Sequence, residues 1–207
     1  MRRPFVLLET IAMGNIPGLD TLISHLTSGN DADAEAAAQQ IAAYGQEGIQ
    51  RLATILSSAD PDERWWVVRS LAEFDHPDAS RLIILTLKDT DKAVQQCAAL
   101  ALREKPDPKA VPHLVALLGD DDRLLAHLAA DALAAIGPPA TKALLEVVEN
   151  GADLARIESV RALAQYEDHA SIPTLFKLLD EDSALLEYWA NEGLENMGIG
   201  MRFFWPG

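Results

Sequence analysis

The sequence predicts an all-α solenoid that is built from six helix-pair repeats. Three observations lead to this prediction. When residues 107–137 are slid along the chain, three positions of this unit hold branched aliphatic residues in every copy. Two neighbouring positions hold small residues in almost every copy, which lets helices approach closely. No segment alternates with the period of a β-strand. A single helix pair cannot bury its apolar stripe, so stacking of neighbouring pairs is expected to complete the core.

The repeats have the bounds 16–45, 46–75, 76–106, 107–137, 138–167 and 168–198. The first helices carry two aliphatic columns one turn apart, Leu22, Leu52, Ile83, Leu114, Leu144, Leu175 and Leu26, Leu56, Leu87, Leu118, Val148, Leu179. The second helices carry one, Ile41, Leu71, Leu102, Leu133, Leu163 and Leu194. The small residues flank that column, as Ala37, Val67, Ala98, Ala129, Ser159, Ala190 and as Ser70, Ala101, Ala132, Ala162, Gly193, with Gln40 as the exception.

Turn residues mark the predicted helix ends. Asp60 is expected to cap a second helix, with Pro61 at the first helical position and Glu63 able to close a capping box. Aspartates occupy nearly the same position in later repeats, at Asp91, Asp122 and Asp182. Prolines stand early in two first helices, Pro112 and Pro173, where a missing N–H costs little. Glycines are expected to end three second helices, Gly45, Gly137 and Gly198.

The two ends of the chain differ from the repeats. Residues 1–15 are predicted to form a short N-terminal cap or leader, because Glu9 interrupts an apolar stretch that otherwise resembles a signal peptide. Export of the protein is the alternative. Residues 199–207 form an aromatic tail with Phe203, Phe204 and Trp205. We expect this tail to cover the apolar flank of the last repeat, or else to insert into a partner or a second copy.

Charge and composition exclude several classes of partner. The chain has 32 acidic and 17 basic residues, a net charge of −15, and it repels phosphate backbones and anionic lipid surfaces. No apolar run reaches the length that a membrane span needs. The single cysteine cannot form an intramolecular disulfide, which fits a reducing compartment. We therefore expect a soluble, cytoplasmic protein that binds neither nucleic acid nor membrane.

The repeat unit resembles HEAT repeats, in particular the short type that is named after phycobilisome lyases. Residues 155–163, ARIESVRAL, are similar to the second-helix motif of that family, and residues 107–112, DPKAVP, are similar to its inter-repeat segment. The resemblance covers residues 16–198. It implies a right-handed α-α superhelix of the armadillo-like kind. For function it implies a range, because the family includes bilin lyase subunits, phycobilisome-degradation factors and scaffolds.

The sequence contains no pattern that is typical of a catalytic site. Cys97 shares its column with Trp66, Leu128 and Trp189, so a buried or half-buried hydrophobic side chain is expected, and not a reactive thiolate. The five histidines show no i, i+4 pairing, and none is followed by glutamate. No phosphate-binding loop and no serine nucleophile elbow is present. We expect no catalytic residue, no metal and no cofactor.

The second helices supply the candidate binding surface. Positions off their buried stripe form two columns, Glu35, Trp65, Gln96, His127, Ile157, Tyr188 and Gln39, Arg69, Leu100, Asp131, Arg161, Glu192. These columns are expected to line the concave face, as second helices do in related solenoids. Trp65 is expected to be exposed there, with packing beneath an adjacent side chain as the alternative, and Trp66 is expected to be half-buried. Arg69 and Arg161 are either binding residues or structural partners of acidic residues in the next repeat. Glu158 needs a partner, and Arg161 or Arg156 can supply it.

Two functions are compatible with this surface. The first is a non-catalytic scaffold or adaptor that binds another protein in its concave groove. The residues expected to bind are Arg64, Trp65, Arg69, His127, Asp131, Arg161, Tyr188 and Glu192. The second, which the resemblance implies, is a bilin lyase subunit or another phycobilisome-associated factor. It would hold a bilin transiently, with the propionates on Arg161 and on Arg64 or Arg69 and the ring against Trp65 or Tyr188. Its partner would be a phycobiliprotein or a second lyase-type subunit.

Overall fold

A computed structural model describes residues 17–199 of the chain. Every regular element within this range is helical. The α-helices are α1 (Leu19–Leu26), α2 (Asp31–Ile41), α3 (Gly45–Ile55), α4 (Pro61–Leu71), α5 (Pro77–Thr86), α6 (Lys92–Glu104), α7 (Val111–Val115), α8 (Arg123–Ile136), α9 (Pro138–Asn150), α10 (Asp153–Leu163), α11 (Ile172–Leu178) and α12 (Ala184–Asn196). Short 3-10 segments lie at Ala42–Tyr44, Pro108–Ala110 and His169–Ser171. The all-α prediction is confirmed. The predicted cap at 1–15 and the aromatic residues Phe203, Phe204 and Trp205 lie outside the described residues.

The chain divides after Phe74 into two compact units. In the first unit, α1 packs on α2, α3 packs on α4, and the second helices α2 and α4 pack on each other. In the second unit, consecutive helices also pack as pairs from α5 with α6 to α11 with α12. There the second helices α6, α8, α10 and α12 form one row in which each contacts the next. The six repeat bounds and the concave groove stay predictions.

The aliphatic columns form the core of both units. Every member of the first-helix column that begins with Leu22 is buried, and so is every member of the second-helix column that begins with Ile41. In the other first-helix column, which begins with Leu26, Leu56 and Leu179 are half-buried and the other four members are buried. The small-residue columns lie beside this core, and Gly193 shows why they are small. A Cβ atom at Gly193 would come within 3.1 Å of Leu175 Cδ1 and 3.2 Å of Ala164 Cα.

Most of the predicted helix ends are confirmed. Asp60, Asp91 and Asp122 each accept hydrogen bonds from backbone N–H groups in the first turn of α4, α6 and α8. The Asp60 N–H donates to the Ser58 hydroxyl, which in turn donates to Glu63, so Ser58 bridges the two residues of the predicted capping box. Gly45, Gly137 and Gly198 have φ values of 53°, 71° and 73°. Such values favour glycine because it lacks a Cβ atom.

Asp182 lies one residue before the N-cap position of its helix. The N-cap residue of α12 is Ser183, whose backbone is extended and whose side chain makes no capping hydrogen bond. Ser183 thus occupies the N-cap position that Asp122 has in α8, and its N–H donates to the Glu181 carbonyl over 2.8 Å. Asp182 therefore precedes the helix, and its carboxylate is exposed.

A hydroxyl–carboxylate hydrogen bond links first helices to the loop that follows a second helix in the second unit. Ser80 Oγ on α5 donates to Asp107 Oδ2 over 2.6 Å. At the equivalent position on α9, Thr141 Oγ1 donates to Asp168 Oδ2, also over 2.6 Å. The Tyr166 hydroxyl lies 2.9 Å from Thr141 Oγ1 and completes this second group. Donation by Thr141, and by the Ala170 N–H, lowers the pKa of Asp168 below its usual value.

We expect Asp168 to make the stability of the second unit depend on pH, with lower stability in acid. A carboxylate whose folded pKa is depressed stabilises the fold above its unfolded pKa, and this contribution is lost as the pH falls through the folded pKa. Asp168→Asn should lower the free energy of unfolding by about 1 kcal/mol at pH 7. The difference in the free energy of unfolding between variant and wild type should become smaller once the pH falls below about 3.8. Urea unfolding at several pH values measures this gap, with Asp121→Asn on an exposed turn as control. A gap that stays constant down to pH 2 would contradict the assignment.

Candidate functional site

The predicted binding residues lie on second helices in both units. Arg64, Trp65 and Arg69 are on α4 in the first unit. The remaining five are on three adjacent helices of the second unit, His127 and Asp131 on α8, Arg161 on α10, and Tyr188 and Glu192 on α12. Tyr188 is exposed and Glu192 half-buried. The candidate site is therefore the face that α8, α10 and α12 share.

On α4 the structure corrects two expectations. Arg64 is buried, and its Nη1 donates to the Ser58 carbonyl over 2.9 Å, so it fastens the turn before α4 and does not line a groove. Trp65 was expected to be exposed, but it is half-buried. Its ring packs edge-to-face on Trp66, with the ring centroids 4.8 Å apart. Trp66 is half-buried as expected.

Arg69 has a structural role within the first unit. Its Nη2 donates to Glu35 on α2 over 2.6 Å, and its Nη1 donates to Glu73. Burial works against the charge of Arg69, but the hydrogen bonds to Glu73 and Glu35 outweigh it and raise the guanidinium pKa. Of the two alternatives for Arg69, the structural one is therefore supported.

Arg161 is the centre of a buried polar network between α8 and α10. Its Nε donates to Glu158 Oε2 over 2.8 Å, its Nη1 to Asp131 Oδ1 over 2.7 Å, and its Nη2 to the His127 carbonyl over 2.8 Å. The Arg161 side chain is only 8% exposed. The expected partner of Glu158 is thus confirmed. Because all three guanidinium nitrogens are engaged, Arg161 is a structural residue.

Two further side chains extend this network along the row of second helices. His127 is half exposed, and its Nδ1 lies 3.6 Å from Glu158 Oε2. On the other side, Arg103 Nη1 on α6 lies 3.9 Å from Asp131 Oδ2. Ionisable side chains thus connect α6, α8 and α10, with Glu158 and Arg161 buried and Arg103 and His127 exposed. A network of this kind holds the register of neighbouring helices, because each buried charge requires its partner.

Sequence reasoning missed a column of leucines on the same face. Leu124, Leu154 and Leu185 are each the second residue of their helix, on α8, α10 and α12. Leu124 is 54% exposed and Leu185 56%, while Leu154 is half-buried. One turn later follow Ile157, half-buried, and Tyr188, 54% exposed. We call Leu124, Leu154, Leu185, Ile157 and Tyr188 the leucine face. The equal offset of its leucines in the last three repeats could have revealed it.

An acidic cleft lies between the first turns of α10 and α12. It has a volume of about 360 Å³ and is lined by Asp153, Arg156, Ile157, Glu181, Asp182, Ser183 and Leu186. The Arg156 guanidinium donates to both carboxylate oxygens of Glu181 over 2.8 and 2.6 Å, and its Nε donates to the Val148 carbonyl. Within residues 17–199, neither Asp153 nor Asp182 has an ion-pair partner. Both carboxylates are exposed.

Within the described residues, few other groups could carry chemistry. Cys97 is buried, as expected. Among residues 17–199 no three His, Cys, Asp or Glu side chains come together as ligands for a metal ion. In the same range no helix is long and apolar enough to span a bilayer.

Comparisons with known proteins place these features in a wider context. The sequence model of HEAT repeats matches residues 49–133 and 115–195. Among solved structures, the complex of CpcE and CpcF of phycocyanin lyase from Nostoc sp. PCC7120 is 22% identical, with a TM-score of 0.52 over 93% of this chain and 82% of that chain. An engineered protein is also 22% identical, with a TM-score of 0.49 over 88% and 97%. No curated protein matches the sequence. The likeness to the lyase complex concerns the fold.

Proposed function

Because this chain belongs to the HEAT-repeat family, we propose that it is a non-catalytic adaptor that binds another protein through the leucine face. One observation supports the proposal most strongly. Leu124 and Leu185 occupy the same register on second helices and are more than half exposed, with the half-buried Leu154 between them. Single exposed leucines need no explanation, but three leucines at one register on consecutive second helices can form one apolar surface.

The energetics of this face suit an interface. Full burial of a leucine side chain contributes about 1.5–3 kcal/mol, so covering the exposed half of Leu124 or Leu185 contributes about 1 kcal/mol each. Tyr188 adds an aromatic ring of the type that is enriched at binding hot spots. Its ring already packs edge-to-face on Trp189 with a centroid distance of 4.9 Å, so less rotamer freedom is lost on binding.

The Arg161 network supports this role from below. It fixes α10 against α8, and therefore it fixes the spacing between Leu124 and Leu154 before a partner arrives. Such preorganisation raises affinity, because less conformational freedom remains to be lost. In this proposal Arg161 and Asp131 position the surface, whereas the exposed leucines and Tyr188 make the contacts.

The same contacts offer no support for a bilin-binding role of the arginines. A propionate on Arg69 would compete with Glu35 and Glu73, and one on Arg161 would compete with Glu158 and Asp131. Arg64 is buried. We expect the absorbance of phycocyanobilin to stay unchanged when the protein is added. A spectral shift that is lost in Arg69→Met would instead favour the lyase-type alternative.

Site-specific photo-crosslinking tests the proposal. Benzoylphenylalanine replaces either Leu185 on the leucine face or Leu85 on α5, two leucines of almost equal exposure, 56% and 57%. The proposal expects one partner protein to be crosslinked from position 185 and not from position 85. The crosslink must form again between the two purified proteins. Equal crosslinking from both positions, or none from position 185, would rule out this face as the binding surface.

A further inference from the structure

The acidic cleft lies beside the leucine face, and together they indicate the chemistry of the partner. We propose that the leucine face binds a segment in which a lysine or arginine stands among apolar residues, and that this cationic side chain enters the cleft. The inference rests on the proposed function, because it identifies the type of partner that the same surface recognises.

The cleft and the leucine face are continuous along the chain. Asp153, which lines the cleft, directly precedes Leu154, and Leu186, which also lines it, directly follows Leu185. Ile157 belongs to both the cleft and the leucine face. A segment that covers Leu154 and Ile157 therefore lies beside the cleft. With a volume of about 360 Å³, the cleft has room for one long side chain.

The charges in the cleft favour a cation. Three carboxylates and one guanidinium line it, and the guanidinium of Arg156 is held by Glu181 and by the Val148 carbonyl. Asp153 and Asp182 thus carry negative charge without an ion-pair partner in the described part of the chain. Ile157 and Leu186 form an apolar wall beside them, where the stem of a lysine or arginine can pack. A charged donor bound to these carboxylates makes a stronger hydrogen bond than a neutral one.

The charge of the whole chain points the same way. At a net charge of −15 the protein attracts basic segments and repels acidic ones before contact. Complementary charge mainly selects the partner and speeds association, while the apolar face supplies affinity. The negative charge therefore selects the partner, and the leucine face contributes most of the affinity.

Two synthetic peptides test this inference by fluorescence anisotropy. One peptide alternates leucine with arginine, and the other has uncharged citrulline in place of every arginine. We expect wild-type protein to bind the arginine peptide about tenfold more tightly than the citrulline peptide. The cleft variant Asp153→Asn/Asp182→Asn should lose this preference. The control variant Asp75→Asn/Asp121→Asn removes the same charge at exposed positions outside the cleft and should keep it.

A third variant separates the inference from the proposed function. Leu185→Ser should weaken binding of both peptides about fivefold, because it removes apolar contact and leaves the cleft carboxylates in place. If the cleft variant keeps the preference for arginine, or if wild-type protein shows no preference, the cleft does not bind the cationic side chain. In either case the leucine face is still supported as the binding surface if Leu185→Ser weakens binding. If Leu185→Ser binds both peptides as tightly as wild type, the proposed binding face is wrong.

Discussion

Replacement of Arg161 by methionine is expected to lower the free energy of unfolding by about 3–5 kcal/mol. The substitution keeps most of the apolar volume but leaves the Glu158 and Asp131 carboxylates without their main partner. Glu158 is buried, so its charge loses a compensating contact in a region of low dielectric constant. Equilibrium urea unfolding, followed by circular dichroism, measures the effect.

Arg81→Met is the matched control for this experiment. Arg81 also pairs with an aspartate, Asp78, over 3.0 Å, but its side chain is 71% exposed, against 8% for Arg161. An exposed pair contributes about 0–1 kcal/mol. The double variant Glu158→Met/Arg161→Met should be more stable than Arg161→Met alone, since it removes the orphaned charge. Equal losses in Arg161→Met and Arg81→Met would show that the network does not hold α8 and α10 in register.

Leu133→Ala is expected to destabilise the protein by about 2–5 kcal/mol, whereas Leu124→Ala should change the stability by less than about 0.5 kcal/mol. Both substitutions exchange leucine for alanine in the same helix, α8. Leu133 is fully buried, and its truncation leaves a cavity in the core, whereas Leu124 is more than half exposed. Thermal and urea unfolding of the two variants give the comparison directly.

This pair of variants separates the two kinds of leucine column in the chain. The column of Leu133 is required for the packing of the core. The column of Leu124 is not, and we assign it to binding. The interpretation would be contradicted if Leu124→Ala were as unstable as Leu133→Ala. In that case Leu124 would be part of the core in solution, and the leucine face would not be available to a partner.

The helix pairs were predictable because they depend on periodic burial. Residues such as Leu52, Leu114 and Leu133 recur at fixed offsets, and each is fully buried in the structure. The resemblance to HEAT repeats is confirmed by the match to that family. Helix ends at Asp60 and Gly137 were equally readable, since capping requires specific side chains at specific positions.

The candidate site was less predictable, because the sequence does not show which charges meet. Arg161 was compatible with binding or with structure, and only its distances to Glu158, Asp131 and the His127 carbonyl decide between them. Trp65 was expected to be exposed because adjacent helical residues point about 100° apart, so Trp65 and Trp66 cannot both face the core unless the helix is buried nearly all round. In the structure it packs on Trp66 and is half-buried.

The leucine face was missed for a different reason. Leu124, Leu154 and Leu185 stand in the first turn, and the sequence pattern assigns polar capping residues and acidic residues to the same region. The corresponding position of the third repeat is Ala93, and that of the second is Asp62, so the column is confined to the last three repeats. A column that is not shared by all repeats is not demanded by the fold, and this is why we assign it to function.

The affinity of the partner for two serine variants tests the central claim most directly. Leu124→Ser/Leu185→Ser removes the exposed leucines of the binding face, and Leu85→Ser removes one of equal exposure on α5. Isothermal titration of the crosslinked partner, once purified, should show about tenfold or greater weakening for the first variant and no change for Leu85→Ser. Unchanged affinity in the double variant, with its stability intact, would contradict the claim that this protein binds its partner through the leucine face.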